Sequence, residues 1–258
     1  MTALGDQADG IVYVGHATTL IELDGARLLT DPVLGQRIAH ISRRVPLPDA
    51  AHLDALDAIL VSHAHYDHLD VASLRRVADG RRLVVPRGVG KLLARRRITA
   101  TDEVQAGDAL TIGSLEVSVV HAEHDGRRWP GGIRYPSVGY IVEGGGQRIY
   151  FAGDTDLFDG MRDLHDIDVA LLPICGWGVR VGPGHLNADR AAEAVARIAP
   201  RIAVPIHWGT LASPSYAATD LAEPARRFAE LTAEAAPDVE VVVVQPGGRL
   251  ELGLRARR

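Results

Sequence analysis

Three imidazoles and a carboxylate crowd into six consecutive positions, His63-Ala64-His65-Tyr66-Asp67-His68. This cluster narrows the fold more than any other stretch. It follows an apolar β-type run at 58–61 and precedes a helical pattern at 71–78, so it occupies a strand-to-helix loop. Such a loop turns several side chains toward one point, at an edge where the loops after strands gather. His63 and His65, two apart, can reach one metal ion; Asp67 and His68 can turn toward a second. Imidazole and carboxylate donors suit zinc, and also manganese or iron. A solvated polar turn would account for Asp67 near a helix start, but not for three histidines.

The surrounding pattern is α/β. β-rich runs at 11–14, 18–23 and 27–30 open the chain, separated by Gly15-His16-Ala17 and Asp24-Gly25. Further strands are expected at 82–86, 115–120, 138–142, 147–151, 169–173, 202–206, 239–244 and 250–252. Helices are expected at 71–78, 89–97, 188–198 with Asn187 as N-cap, and 221–235 with an early Pro224. Strands lead in the first half and alternate with helices later, which implies two sheets sandwiched between helices. The 258 residues carry no short repeat, low-complexity tract or obvious linker, so residues 1–258 read as a single domain.

Composition removes some partners. The formal net charge is −5, so there is no basic surplus to hold nucleic acid or an anionic membrane. Residues 1–10 lack the pattern of a signal peptide, and no apolar run is long enough to span a bilayer. Cys175 is the only cysteine, which excludes an intrachain disulfide and agrees with a cytoplasmic location. Any metal must therefore be held by histidine and carboxylate. Lys91 is the only lysine.

The histidine cluster resembles the His-x-His-x-Asp-His signature of metallo-β-lactamase-fold hydrolases, and the resemblance spans most of the chain. Its other elements follow in order: Leu29-Thr30-Asp31-Pro32, His124 after a strand, Phe151-Ala152-Gly153-Asp154-Thr155, and Pro205-Ile206-His207-Trp208-Gly209-Thr210. The resemblance implies an αββα sandwich of two mixed sheets flanked by helices. It implies one metal on His63, His65 and His124, a second on Asp67, His68 and His207, and Asp154 bridging both. Asp31 would orient a ligand histidine by hydrogen bonding, with His16 in a similar supporting place. Gly15-His16-Ala17, Gly184-His185-Leu186-Asn187 and His207-Trp208-Gly209-Thr210 are similar to the branch with N-acyl-phosphatidylethanolamine-hydrolysing phospholipase D and L-ascorbate-6-phosphate lactonase. Asp125 departs from that branch, which has an aromatic residue after the ligand histidine. There is also no apolar N-terminal segment to engage a membrane.

Other residues carry weaker signals. His121, three before His124, is the alternative third imidazole, and otherwise a strand-end core residue. His185 is the candidate for polarising the substrate or protonating its leaving group. Arg128 and Trp177 are candidate substrate contacts; Arg127, Arg134 and Arg180 share the arginine fork that suits phosphate or carboxylate. Cys175 reads as a buried small apolar residue, Arg95, Arg96 and Arg97 as a solvated helix end, and His40, His52 and His165 as surface or core histidines.

The expected function is a hydrolase with two divalent ions, zinc first and manganese or iron as alternatives, sharing a bridging hydroxide that Asp67 orients. A phosphodiester or phosphorylated small molecule is the first substrate class. A lactonase or other ester hydrolase on the same centre, or an iron-dependent oxidoreductase of the same fold, are the alternatives. The expected partner is a small molecule, with an anionic group as one option; neither nucleic acid nor stable membrane attachment is expected, and homo-oligomers stay open.

Overall fold

Along the first strand, β1 (Gly10–Gly15), side chains alternate between two apolar clusters. Ile11 and Tyr13 join one, Val12 and Val14 the other, as the two-residue period of a strand requires. The computed structural model describes residues 8–47, 53–176, 181–214 and 220–253.

β1 continues into β2 (Thr18–Leu23) and β3 (Ala26–Thr30) as an antiparallel meander. The turn between β2 and β3 is Asp24-Gly25, with φ of 48° and 79°, the left-handed pair that a two-residue hairpin favours. A short hairpin of β4 (Arg37–Ile38) and β5 (Ile41–Arg43) follows. The chain then changes to parallel crossovers through β6 (Ala58–Leu60), α1 (Val71–Val77), β7 (Arg82–Pro86), α2 (Val89–Ala94) and β8 (Asp102–Val104).

The same plan is then laid down again. β9 (Ala109–Ile112), β10 (Leu115–His121), β11 (Val138–Gly144) and β12 (Gln147–Phe151) form an antiparallel meander. β13 (Val169–Pro173), α3 (Ala188–Ile198), β14 (Ile202–Ile206), α4 (Glu223–Ala235) and β16 (Glu240–Val241) follow as parallel crossovers. A last strand, β17 (Arg249–Glu251), returns to pair with β1. The two large sheets run β17-β1-β2-β3-β6-β7-β8 and β16-β14-β13-β12-β11-β10-β9. β15 (Leu211–Ala212) joins the small hairpin in a third sheet, β15-β5-β4.

Val12, Leu20, Ile59 and Val85 on one face of the first sheet pack with Leu74 and Val77 of α1 and Val89 and Leu93 of α2. The opposite face, through Ile11, Ile21, Leu28 and Leu60, joins the second sheet, Val195 and Ile198 of α3, and Phe228 of α4 in one core. The layers are therefore helix, sheet, sheet, helix, and both sheets are mixed, as expected. Among the described residues, no helix is long and apolar enough to cross a membrane.

Boundaries differ where backbone chemistry intervenes. α2 ends at Ala94 rather than 97, because Ile98 N–H bonds to Leu93 O and Arg97 N–H to Ala94 O, with Arg97 at φ 64°; this pairing closes a helix through a left-handed residue. α4 begins at Glu223 rather than 221, with Pro224 in its first turn, where a missing N–H costs nothing. β16 covers only 240–241 of the expected 239–244. β4, β5, β8, β9 and β15 were not expected; they are two to four residues long, too short for alternation to register.

Strand direction places the site. Two antiparallel steps restore direction, so β1, β3 and β6 point the same way, and so do β10, β12 and β14. Their carboxyl ends lead to His16, Asp31 and the 63–68 loop from the first sheet, and to His124, Asp154 and His207 from the second.

Candidate metal centre

The loops that reach this edge are held in sparsely populated conformations. His16, Asp31 and His207 have φ of 59°, 34° and 65°, each costing on the order of 1–3 kcal/mol unless the surroundings impose it. The surroundings do. The register of β1 shifts between Tyr13 and Gly15, and Gly15, at φ 126°, would place a Cβ 2.7 Å from Thr210 Oγ1. His16 N–H then donates to Thr210 Oγ1 at 2.8 Å, and His207 N–H donates to His16 O at 2.7 Å. These bonds tie the ends of the two sheets together. Gly153, at φ 61°, lies where a Cβ would sit 2.5 Å from Ser62 Cβ; that close approach brings Asp154 to the histidine loop.

Two sets of four donors result, within which the ligand atoms lie within 4.8 Å of one another: His63, His65, His124 and Asp154; and His16, Asp67, His68 and His207. In the first, His63 Nε2 is 3.0 Å from His65 Nδ1, which is 3.1 Å from His124 Nε2. In the second, His68 Nε2 is 3.0 Å from His207 Nε2. Asp154 lies between the sets: Oδ2 is 3.9 Å from His63 Nε2 and 3.2 Å from His68 Nε2, and Oδ1 is 3.4 Å from His207 Nε2. Asp67 Oδ2 is 3.7 Å from His207 Nε2 and 3.9 Å from His68 Nε2.

The outer nitrogens are spoken for. His68 Nδ1–H donates to Asp31 Oδ2 at 2.7 Å. His63 Nδ1–H donates to Ser62 Oγ at 2.9 Å, and Ser62 Oγ–H donates to Asp31 Oδ2 at 2.5 Å. His124 Nδ1–H donates to Gly184 O at 2.6 Å, and His207 Nδ1–H to Cys175 O at 2.8 Å. Each of these rings thereby turns Nε2 toward the centre; for His68, burial disfavours the charged ring, but the carboxylates of Asp154 and Asp31 outweigh it and push its pKa well above the usual histidine range. Burial, reinforced by neighbouring imidazoles, holds His63 well below the usual histidine range. Burial takes His124 down to about 4, and His16 to about 3. Burial works against ionisation of Asp154 and Asp67, but the surrounding histidines outweigh it and keep both carboxyls well below their usual range.

The donor set fits a divalent cation. A tetrahedral ion with bonds of about 2.0–2.1 Å spaces its ligands roughly 3.3 Å apart, close to the nitrogen separations above. Asp154 Oδ1 is buried without a hydrogen-bond partner, an expense that a cation removes.

His16 supports Asp67, with Nε2 3.0 Å from Oδ2, and lies against His207 with ring centroids 3.8 Å apart. His185 Nδ1 lies 3.1 Å from Gly182 O and 3.2 Å from Pro183 O, while Nε2 lies 3.4 Å from Asp154 Oδ2. Burial disfavours its protonation, yet Asp154 and the loop carbonyls push its pKa up to about 9. His121 stays outside: its side chain is 52% exposed, pairs with Glu123 at 3.3 Å and meets Phe158 edge-on. It is neither a donor in these sets nor the core residue expected otherwise.

A cleft of about 560 Å³ opens over the centre. Its floor includes His65, Asp67, Asp154, His185 and His207; its walls include Ile38, Ile41, Trp129, Pro130 and Val181. The apolar wall was not legible in the sequence, since Ile38 and Ile41 sit in a hairpin with no motif. His40, expected to be unremarkable, is exposed on the same rim. Ser62 was also missed, and only its place between a strand and His63 marks it. Arg128 is partly committed elsewhere: Nη1 donates to Ala64 O at 2.7 Å and Leu69 O at 3.0 Å, and its guanidinium stacks 4.0 Å over the Tyr66 ring. It clamps the histidine loop while still lining the cleft. Arg127 and Arg134 both pair with Asp125, at 3.1 and 3.2 Å. Cys175 is half-buried rather than buried. His165 is exposed. Trp177, Arg180 and His52 lie outside the described residues.

Known proteins are similar to this chain in sequence and in fold. The Beta-lactamase superfamily domain profile matches residues 26–208. The chain is 32% identical over 250 residues to a protein named as a metal-dependent hydrolase from Methanopyrus kandleri, covering 93% of this chain and 99% of that protein. It is 31% identical over 229 residues to N-acyl-phosphatidylethanolamine-hydrolyzing phospholipase D 1 of Caenorhabditis elegans, covering 77% of this chain and 63% of that protein. The solved structure of a metallo hydrolase from Ignicoccus hospitalis shares the fold with a TM-score of 0.73 at 23% identity, covering 96% of this chain and 100% of that one.

Proposed function

The chain belongs to the β-lactamase superfamily, in its metallo-β-lactamase-fold hydrolase form, and we propose that it hydrolyses a phosphodiester or a phosphorylated small molecule with two divalent ions, zinc or manganese, one on His63, His65 and His124 and the other on Asp67, His68 and His207, with Asp154 shared between them and His16 supporting Asp67. The observation that carries the reading is Asp154, whose carboxylate lies between the sets with one oxygen toward His68 and the other toward His207. When bound, the ions supply a water acidified from about 15.7 toward about 7 and an electrophilic pull on the reacting oxygen.

The chain's own residues do the rest. Asp67, steadied by His16, accepts a hydrogen bond from the attacking water and orients it. His185, anchored through Nδ1, presents Nε2 to the cleft and delivers a proton to the leaving oxygen. Asp31 keeps His68 and, through Ser62, His63 in the tautomer that leaves Nε2 free. Ile38, Ile41 and Val181 exclude water and receive an apolar portion of the substrate beside the scissile bond.

The test measures metal content on protein purified without added metal, together with turnover of bis(p-nitrophenyl) phosphate and of a simple lactone. About two zinc or manganese ions per chain with phosphodiester turnover supports the reading. Two ions with lactone turnover alone moves the reaction to a carbonyl centre. One iron per chain without hydrolysis sinks it in favour of redox chemistry.

A further inference from the structure

A second cleft, of about 770 Å³, adjoins the one over the metal centre, and the two share Tyr66, Arg128 and Trp129 as a common wall. In a chain with net charge −5, this cleft is strongly basic. Arg87, Lys91, Arg95, Arg96 and Arg134 line it with Arg128. Lys91 and Arg95 stand one helical turn apart along α2 and its cap, so they share a face.

These charges lack local compensation. Arg87, Lys91, Arg95 and Arg96 are exposed, and among the described residues none of them pairs with a carboxylate. Asp70 is the one acid on the lining, and it caps α1 by accepting from Ala72 N, Ser73 N and Ser73 Oγ. Glu103, on neighbouring β8, is taken by Gly88 N and Gly90 N, at 2.9 Å each. Of the cations on the lining, Arg134 alone among the described residues pairs with a carboxylate, Asp125. Burial disfavours the charged form of Arg128, Tyr66 and Asp70 support it, and Arg96 opposes it. Like charges gathered in one concavity raise the local anion concentration and favour a multiply charged guest. Guanidinium forks match the oxygen spacing of phosphate.

We propose that this second cleft binds a phosphate monoester or pyrophosphate group, which anchors a small-molecule substrate while its scissile bond crosses the Tyr66–Arg128–Trp129 wall to the metal centre. The anchor rests on the hydrolase reading for its purpose, but its anion binding does not.

The experiment titrates pyrophosphate into the chelator-treated full chain by calorimetry at low salt, so that no metal competes for the anion. Wild type is expected to bind, and the Lys91→Ala/Arg95→Ala protein to bind at least about tenfold more weakly, with Arg87→Ala intermediate; far-UV spectra confirm that these exposed changes leave the fold intact. A flat titration of wild type, or equal affinity in the double variant, overturns the proposal. Sedimentation with phosphatidic-acid vesicles forms a second arm: vesicle binding with no response to free pyrophosphate assigns the charge to a lipid surface and overturns the small-molecule anchor. With metal restored, the ratio of kcat/KM for a phosphorylated ester over its neutral counterpart should fall at least about tenfold in the double variant. An absence of all turnover would defeat the hydrolase reading while leaving the calorimetric result to stand or fall alone.

Discussion

Replacing Asp31 by asparagine tests how far the centre depends on a residue that touches no metal position. The Asp31 carboxylate accepts three hydrogen bonds: from Ser62 N–H at 2.7 Å, Ser62 Oγ–H at 2.5 Å and His68 Nδ1–H at 2.7 Å. Through Ser62 it also fixes His63, so one buried group orients an imidazole in each donor set. Asparagine keeps the shape but turns one acceptor into a donor. Ser62 N–H uses Oδ1 while Ser62 Oγ–H and His68 Nδ1–H share Oδ2, so an amide with its nitrogen at the Oδ2 position faces both side-chain donors and one with its nitrogen at the Oδ1 position faces Ser62 N–H. If His68 yields, its proton moves to Nε2 and the lone pair at the centre is lost. Loss of such an orienting partner weakens metal binding by about 10- to 100-fold, which is about 1.4–2.8 kcal/mol. Fold stability should suffer less. Burial already pushes the Asp31 carboxyl up, against the pull of His68, so a neutral amide sheds a desolvation cost while losing hydrogen bonds. The metal-free unfolding free energy should fall by less than about 2 kcal/mol. Chelator competition reads the metal affinity and denaturant melts read the stability. Two ions bound at wild-type affinity would refute the orienting role; equal losses in both measurements would make Asp31 merely structural.

Three further outcomes follow from the geometry. Gly153→Ala places a Cβ against Ser62 Cβ at 2.5 Å with φ at 61°, so it should lower stability by about 1–3 kcal/mol and disturb metal content, read by melts and elemental analysis; wild-type values in both would deny the need for close approach there. Asn187→Ala removes the side chain that accepts from Arg190 N–H at 2.9 Å and should cost about 1 kcal/mol in a denaturant melt. Chelation should lower the melting temperature of the loaded protein, because an ion that binds only the folded state stabilises it by mass action; an unchanged midpoint would mean that the donor sets hold nothing.

Much of this centre could be read from the chain, because its donors follow strands whose apolar runs are plain. His63, His65, Asp67, His68, His124, Asp154 and His207 all stand out in the sequence as candidate donors, and all seven meet at one edge. The helix start at Asn187 was equally legible, since its cap precedes a clear amphipathic period. Other features were invisible for physical reasons. The apolar wall at Ile38 and Ile41 comes from strands of two and three residues, too brief to show alternation. Arg128 looked like a ligand contact, yet its commitment to Ala64 O and Leu69 O arises only when loops 64 residues apart in the chain meet. The basic cleft joins residues from α2, the loop before it and the loop after β10, so no sequence window could display it.

The doubled plan of the fold also sets an order of events during synthesis. The first meander and its crossovers supply His16, Asp31 and the whole 63–68 loop, while His124, Asp154 and His207 come from the second. A nascent chain that has emerged only through β8 therefore exposes two of the four donors of one set and three of the four of the other, and can finish neither. The set of His63, His65, His124 and Asp154 gains its last member when Asp154 leaves the ribosome; the set that needs His207 must wait for β14. The two sets are thus completed in order along the chain, and a chain that stalls between these two residues would carry one complete pocket and one still lacking an imidazole.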